Sequence, residues 1–389
     1  MKKTENNPKE KRIVFVNQAT GYLTIDIINE FVREFDKVAV IYGDIRVQDI
    51  DLNPRVLRSK VIEKSRKSNL KRFNRWFIAS LQIFLLLLFR YRKYEIFYFS
   101  VPPFAYLLSL VIRRRFSVLM WDVYPDALIM AGISDRNPVY RVWSKVNMIL
   151  FKRAYKVFTI GEVLKDQMSR YVIPGKITVI PLWSGLADCK PVKKADNPFI
   201  SEQKLEGKFI IQYSGNLGAG HNIETLIQTA VLTRYDEQIF YLITGRGSKI
   251  EAVKTMIKKY GLSNCRVLPF QPDNMIRYSL AAADLSVVLV EDKIAGVSIP
   301  SKVYNLMAVG SPIISIAPET SEISKLVLRF GNGRNFEKDN VEGLAEFIFE
   351  MKDSPEMLRS FRERSIRASV EFTRENAHKF LEIYKSSEN

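Results

Sequence analysis

Short apolar runs alternate with helical patterns along this chain, in two successive sets, and that alternation constrains the fold more than any other feature. In the first half the runs are RIVFVN (12–17), KVAVIY (37–42), EIFYFS (95–100), FSVLMWDV (116–123), KVFTI (156–160) and ITVIPLW (177–183). The second half gives FIIQYSG (209–215), FYLITG (240–245), RVLPF (266–270), LSVVLV (285–290) and PIISIA (312–317). Runs that are apolar on both faces and bounded by turns suit parallel strands covered by helices. Two such sets imply two doubly wound α/β domains. At 389 residues the chain is long enough for both. The polar stretch 186–199, LADCKPVKKADNPF, reads as the linker. The expected division is 1–190, 191–372 and a C-terminal helix in 373–389.

Charge separates the halves. The net charge is +17. Residues 1–190 hold 33 Lys and Arg against 17 Asp and Glu, whereas 191–389 hold 26 against 25. Between 55 and 115 there are 15 basic residues and only two acidic ones, Glu63 and Glu95. Such a patch seeks a polyanion: nucleic acid, anionic lipid or a diphosphate. An apolar run of 14 residues, WFIASLQIFLLLLF (76–89), lies inside it between basic flanks, and FAYLLSLVI (104–112) ends in Arg113, Arg114 and Arg115. The longer run falls short of the roughly 20 residues of a spanning helix. The expectation is therefore a domain lying on an anionic leaflet. The first apolar run, IVFV, is too short for a signal peptide, so none is expected. Two distant histidines, His221 and His378, and two cysteines, Cys189 and Cys265, offer no metal-ligand spacing. No metal or cofactor is expected. The Asp49–Asp51 pair is read as a surface turn.

Ligands of doubly wound sheets bind at the carboxyl ends of the strands, and three second-half loops stand there. In YSGNLGAGHNIETL the strand ends in a glycine-rich turn, with Asn222 as the expected cap of the next helix. Gly215, Asn216, Leu217, Gly218, His221 and Asn222 are candidates for holding a diphosphate. In TGRGSKI the candidates are Gly245, Arg246, Gly247 and Lys249. In GVSIPSKVYNLMAVGSP a helix is expected from Pro300, presenting Ser301 and Lys302, with Asn305 one turn on and Gly310 at its end.

These residues, in this order, resemble the donor-binding domain of GT-B glycosyltransferases of the family 4 type (group 1). GVSIPSKVYNLMAVGSP together with WDVYPDAL (121–128) resembles the branch that builds bacterial surface polysaccharides. The resemblance implies a GT-B fold: two Rossmann-like doubly wound parallel-sheet domains facing a cleft. It implies a UDP- or GDP-sugar donor, a lipid-linked (polyprenyl diphosphate) saccharide acceptor, transfer with retention, and a cytoplasmic enzyme on the inner face of the membrane. The C-terminal helix would return to the first domain. The family commonly has Arg and Lys where this chain has Asn216 and His221, and two glutamates where it has Val297 and Asn305. Arg246 or Lys302 would then supply the missing positive charge. In the first domain, which has no histidine, Asp122 and Asp126 are the candidate bases. Thr20, Gly21, Tyr22 and Trp121 are candidates for touching the acceptor. The competing readings are a sugar-nucleotide epimerase, a catalytically inactive GT-B protein, and a basic membrane- or nucleic-acid-binding protein. No nucleic-acid motif is present.

Overall fold

In the computed structural model, residues 10–45, 51–65, 69–186, 192–218, 221–292 and 300–386 are described. Cys189, Asp49, Val297 and most of the loop before Pro300 lie outside them. The chain forms two compact units, one of residues 1–181 with 374–389 and one of residues 182–373.

The first unit is a seven-stranded sheet in the order β3-β2-β1-β4-β5-β6-β7. Its strands are β1 (Arg12–Thr20), β2 (Lys37–Ile45), β3 (Leu57–Lys60), β4 (Glu95–Phe99), β5 (Phe116–Met120), β6 (Val157–Thr159) and β7 (Ile177–Val179). Every pairing is parallel. Six of the seven were legible as apolar runs. The edge strand β3, LRSK, was not, because three of its four residues are exposed. The helices are α1 (Tyr22–Phe31), α2 (Asn69–Phe89), α3 (Pro138–Arg153) and α4 (Glu162–Met168).

The last helix of the chain, α13 (Glu375–Lys385), belongs to this unit. It inserts Tyr384 edge-on against Phe31, with ring centroids 5.2 Å apart. The Tyr384 hydroxyl donates to Glu95 at 2.6 Å. Buried aromatics of this size dominate core energetics, so α13 is an integral part of the unit.

The second unit repeats the winding. Its six parallel strands are β8 (Phe209–Asn216), β9 (Ile239–Arg246), β10 (Cys265–Leu268), β11 (Leu285–Leu289), β12 (Ile313–Ile316) and β13 (Gly333–Phe336). The order is β10-β9-β8-β11-β12-β13, the order 3-2-1-4-5-6 of a mononucleotide-binding sheet. The strand order reverses between β8 and β11, and between β1 and β4 in the first unit. Those two points are where a ligand is expected in each sheet. Helices α5 (Pro198–Gln203), α6 (Glu224–Leu232), α7 (Ile250–Tyr260), α8 (Asp273–Ala281), α9 (Lys302–Ala308), α10 (Glu322–Phe330), α11 (Val341–Asp353) and α12 (Pro355–Ser369) complete it.

Two expectations about the basic region change. Helix α2 begins at Asn69 and has 21 residues, so by length and composition Leu70–Phe89 is long enough to cross a membrane. One face of it (Trp76, Ala79, Ile83 and Leu87) is buried in the unit, while Leu70, Phe73, Phe77, Leu81, Leu85 and Phe89 stand outside. Residues 104–112 give only a short 3₁₀ turn, Tyr106–Leu110. Of the arginines after it, Arg114 is not part of an exposed rim. Its guanidinium donates to Leu87 O at 3.0 Å and to Tyr91 and Tyr94 O, closing the end of α2.

Candidate active site

In the second unit the first two loops are laced together by backbone. Gly215 on β8 faces Gly245 on β9 in register. A methyl group on Gly245 would stand 1.8 Å from the Gly215 carbonyl oxygen, and one on Gly247 2.1 Å from that of Leu217. Both glycines also have φ near +150°, so close approach and backbone conformation each exclude a side chain. Leu217 N donates to Arg246 O at 2.7 Å and Lys249 N to Leu217 O at 3.1 Å. The Leu217 side chain is fully buried in the core, so only its backbone is available to a ligand.

Into this glycine turn α9 sends one cation. The Lys302 ammonium lies 3.7 Å from the centroid of the Tyr213 ring. A methyl group on Gly215 would be 3.3 Å from it. The nitrogen is shut from solvent and has no hydrogen-bond partner among the described residues. Burial pushes its pKa down to about 7. Beside it, His221 Nδ1 is also buried without a partner. Burial, and then the Lys302 charge, lower the His221 pKa, so the imidazole is neutral at pH 7. A buried cation lacking a partner is costly. Lys302 Nζ and His221 Nδ1 thus stand side by side at the glycine turn, both buried and without hydrogen-bond partners among the described residues. Tyr213, whose hydroxyl donates to Asn216 O at 2.8 Å, was not singled out from sequence, although it stands inside the YSGN motif.

The other candidates divide. Arg246 is exposed at the end of β9, with its guanidinium 5.4 Å from the Phe270 ring centroid. Lys249 is engaged inside the fold, donating to Glu224 at 2.9 and 3.1 Å and to His221 O at 2.9 Å. Asn222 is not the cap of α6. Ile223 N turns back to His221 O at 2.9 Å, which puts Ile223 at the cap position with no side-chain cap. Helix α9 starts at Lys302, two residues later than expected, with Pro300 O accepting from Val303 N at 3.1 Å and Ser301 exposed at the cap. Asn305 Oδ1 accepts from Ser184 Oγ at 2.8 Å and Gly185 N at 3.0 Å. Its carbonyl therefore holds the segment entering this unit, a role with no sequence signal.

In the first unit β5 delivers Trp121 and Asp122 at its carboxyl end. Ser100 Oγ, at the neighbouring end of β4, accepts from Trp121 N at 3.2 Å and Asp122 N at 3.4 Å. Burial raises the Asp122 pKa, opposed by the charges of Lys64 and Arg72. A carboxylate of raised pKa near cations suits a general base. The Trp121 ring lies 5.2 Å from Phe99, and its Nε1 is buried without a partner among the described residues. Thr20, at the end of β1, gives its hydroxyl to Asn17 O at 3.0 Å. Gly21 then opens α1 with nothing within 4 Å of a methyl group there, and Tyr22 is the first helical residue.

Asp126 does not fit the role of a base. It is 1% exposed. Its Oδ1 accepts from Tyr140 OH at 2.7 Å and Arg170 Nη1 at 2.8 Å, and its Oδ2 from Tyr171 OH at 2.5 Å. With both oxygens occupied by donors, it is a structural centre. Among the described residues no group of three or more His, Cys, Asp or Glu could hold a metal ion.

Residues 196–368 match the family model described as glycosyl transferases group 1. Over 347 residues, 86% of this chain and 86% of the relative, the chain is 26% identical to a probable glycosyltransferase, WbjE, of Pseudomonas aeruginosa. It is 25% identical over 253 residues, 63% of this chain and 62% of the relative, to a putative colanic acid biosynthesis glycosyl transferase, WcaI, of Escherichia coli K12. Among solved structures, sucrose-phosphate synthase from Thermosynechococcus elongatus superposes with a TM-score of 0.75 at 14% identity, covering 97% of this chain and 98% of that one. HepE of Anabaena, in complex with UDP and glucose, gives 0.73 at 14% identity, covering 97% and 100%. At these identities the solved structures establish the fold.

Proposed function

We infer, from the premise that this chain is a group 1 glycosyltransferase with the GT-B fold, that it moves a sugar from a UDP- or GDP-sugar to a lipid-linked saccharide in bacterial polysaccharide synthesis. The observation that carries the donor half is the unpartnered Lys302 ammonium under the Gly215–Gly218 turn. A diphosphate supplies the negative charge that this cation lacks, and the glycine turn lets backbone amides reach it. The UDP complex of HepE supports a nucleotide donor, and the names of WbjE and WcaI support the pathway class.

Chemically, the bond from the anomeric carbon to the diphosphate oxygen breaks, and its electron pair leaves with the nucleotide. Lys302 meets that growing charge. The acceptor hydroxyl forms the new bond. Its proton passes to Asp122 or, in a retaining route, to the departing phosphate, with Asp122 then positioning the acceptor.

The acceptor half rests on α2. Its buried stripe holds it to the first unit, so it lies along the surface, and its outer stripe (Phe73, Phe77, Leu81, Leu85) is free to enter a leaflet. Lys71, Arg75, Arg90 and Arg92 are exposed at its two ends. Each such cation adds about 1 kcal/mol of attraction to an anionic surface. The enzyme is thus a peripheral protein of the inner leaflet, where a polyprenyl-linked acceptor resides. The test is a calorimetric screen of UDP, GDP and their common sugars. One nucleotide is expected to bind, and binding of none to the folded protein would overturn the donor assignment.

A further inference from the structure

A second apolar feature of the first unit joins the end of the basic region 55–115 to α3. The 3₁₀ turn Tyr106–Leu110 and the exposed face of α3 enclose a recess of about 390 Å³. It is lined by Leu107, Leu110, Val139, Val142, Trp143 and Val146, and its walls present no polar surface. Val139 and Val142 are 59% and 62% exposed, although a soluble helix would normally carry polar residues there. The floor is fixed. Trp143 Nε1 donates to Tyr106 OH at 2.8 Å, and the Trp143 ring stacks on Tyr124 with centroids 5.9 Å apart and planes 17° apart. Tyr124 is two residues beyond Asp122. Phe104 touches Trp143 at 5.2 Å on one side and Phe73 of α2 at 5.1 Å on the other, so one aromatic chain links the floor of the recess to the outer stripe of α2. Arg141 and Lys145 are exposed on the same helix.

We propose that this groove holds the hydrocarbon chain of an isoprenyl diphosphate, namely the tail of the lipid-linked acceptor. The inference rests on the transferase reading above and deepens it. An apolar slot suits a chain, not a head group or a sugar. The flanking cations suit a chain that carries an anionic head. Its floor residue Trp143 stacks on Tyr124, two residues from Asp122, so the recess and that carboxylate are held by neighbouring parts of one unit. A lipid chain held here fixes the acceptor by its tail, whatever its sugar.

The probe is farnesyl diphosphate, titrated into the full chain and read by tryptophan fluorescence, with inorganic diphosphate as the head-group control. Saturable binding at least tenfold tighter than inorganic diphosphate is expected. Val142→Glu should weaken farnesyl diphosphate at least tenfold and leave inorganic diphosphate and Tm unchanged. Val139→Gln is a milder second variant, expected to weaken it several-fold. Equal binding of the two diphosphates, or no effect of either substitution, overturns the proposal. So does a concentration-dependent dimer that Val142→Glu dissolves, because a second copy would then cover the groove. Nucleotide binding, measured in parallel, reports on the transferase reading. Its absence would sink that reading, whereas its presence with a negative lipid result would sink only the groove.

Discussion

Replacing Lys302 by methionine should make the empty protein more stable and the donor site weaker at once. Burial lowers the Lys302 pKa from 10.5 to about 7. At 1.36 kcal/mol per unit, that is a ceiling of about 5 kcal/mol of destabilisation at neutral pH. Lys302 as a residue is only half-buried, and the effective dielectric of such sites is well above that of a dry interior, so about 2 kcal/mol is the working figure. Protonation is disfavoured in the fold, so stability falls as pH drops from the unfolded value near 10.4 towards 7, then levels off. Methionine keeps the stem and removes the charge. For a domain of this size, 2 kcal/mol corresponds to a rise in Tm of about 4–8 °C. The substitution should also flatten the slope of stability between pH 7 and 10. The same change removes a charge-assisted bond to phosphate worth about 1.5–3 kcal/mol, which weakens the bound nucleotide by about 10- to 150-fold. Differential scanning calorimetry across that pH range and nucleotide titration at pH 7.5 read both. A lowered Tm, or unchanged nucleotide affinity, would refute the account of Lys302 as a cation awaiting a diphosphate.

Three other outcomes follow. Asp122→Asn should lower transfer by about 10²–10⁴-fold if Asp122 takes the proton. It should not lower Tm, because the native carboxylate is held at raised pKa by burial; a loss of Tm matching the loss of rate would make it structural. Asp126→Ala should cost about 2–5 kcal/mol in chemical denaturation, because it leaves the buried hydroxyls of Tyr140 and Tyr171 without their acceptor, while the half-exposed Arg170 turns to water. A near-neutral result would return Asp126 to the candidate bases. Phe77→Glu with Leu81→Glu should reduce pelleting with anionic vesicles severalfold at unchanged Tm, since both side chains are exposed.

The sheets were legible because a strand buried on both faces is written as an unbroken apolar run, and eleven of the thirteen strands are such runs. β3 and β13 are edge strands with polar or exposed residues, and no periodicity marks them. The loops after β8 and β9 were legible from glycine placement, and the third from Pro300 ahead of its helix, although most of that loop lies outside the described residues. At Gly245 the requirement proved to be contact between strands as much as room for a ligand. Lys302 could be proposed from its place after Pro300, but its burial under Gly215 is a tertiary fact. The role of Asp126 was hidden because its donors come from residues 14 to 45 positions away. Asn222 has the chemistry of a cap, yet a tight turn at His221 shifts the helix start past it.

Transfer itself tests the central claim most directly. The protein would be incubated with radiolabelled UDP- and GDP-sugars, one at a time, and membranes from a polysaccharide-producing bacterium, and the label in the solvent-extractable lipid fraction would be counted. The account predicts lipid-borne label from one donor, abolished by Asp122→Asn and strongly reduced by Lys302→Met. Label released only as free sugar, or no consumption of any donor by protein that binds membranes, would contradict it.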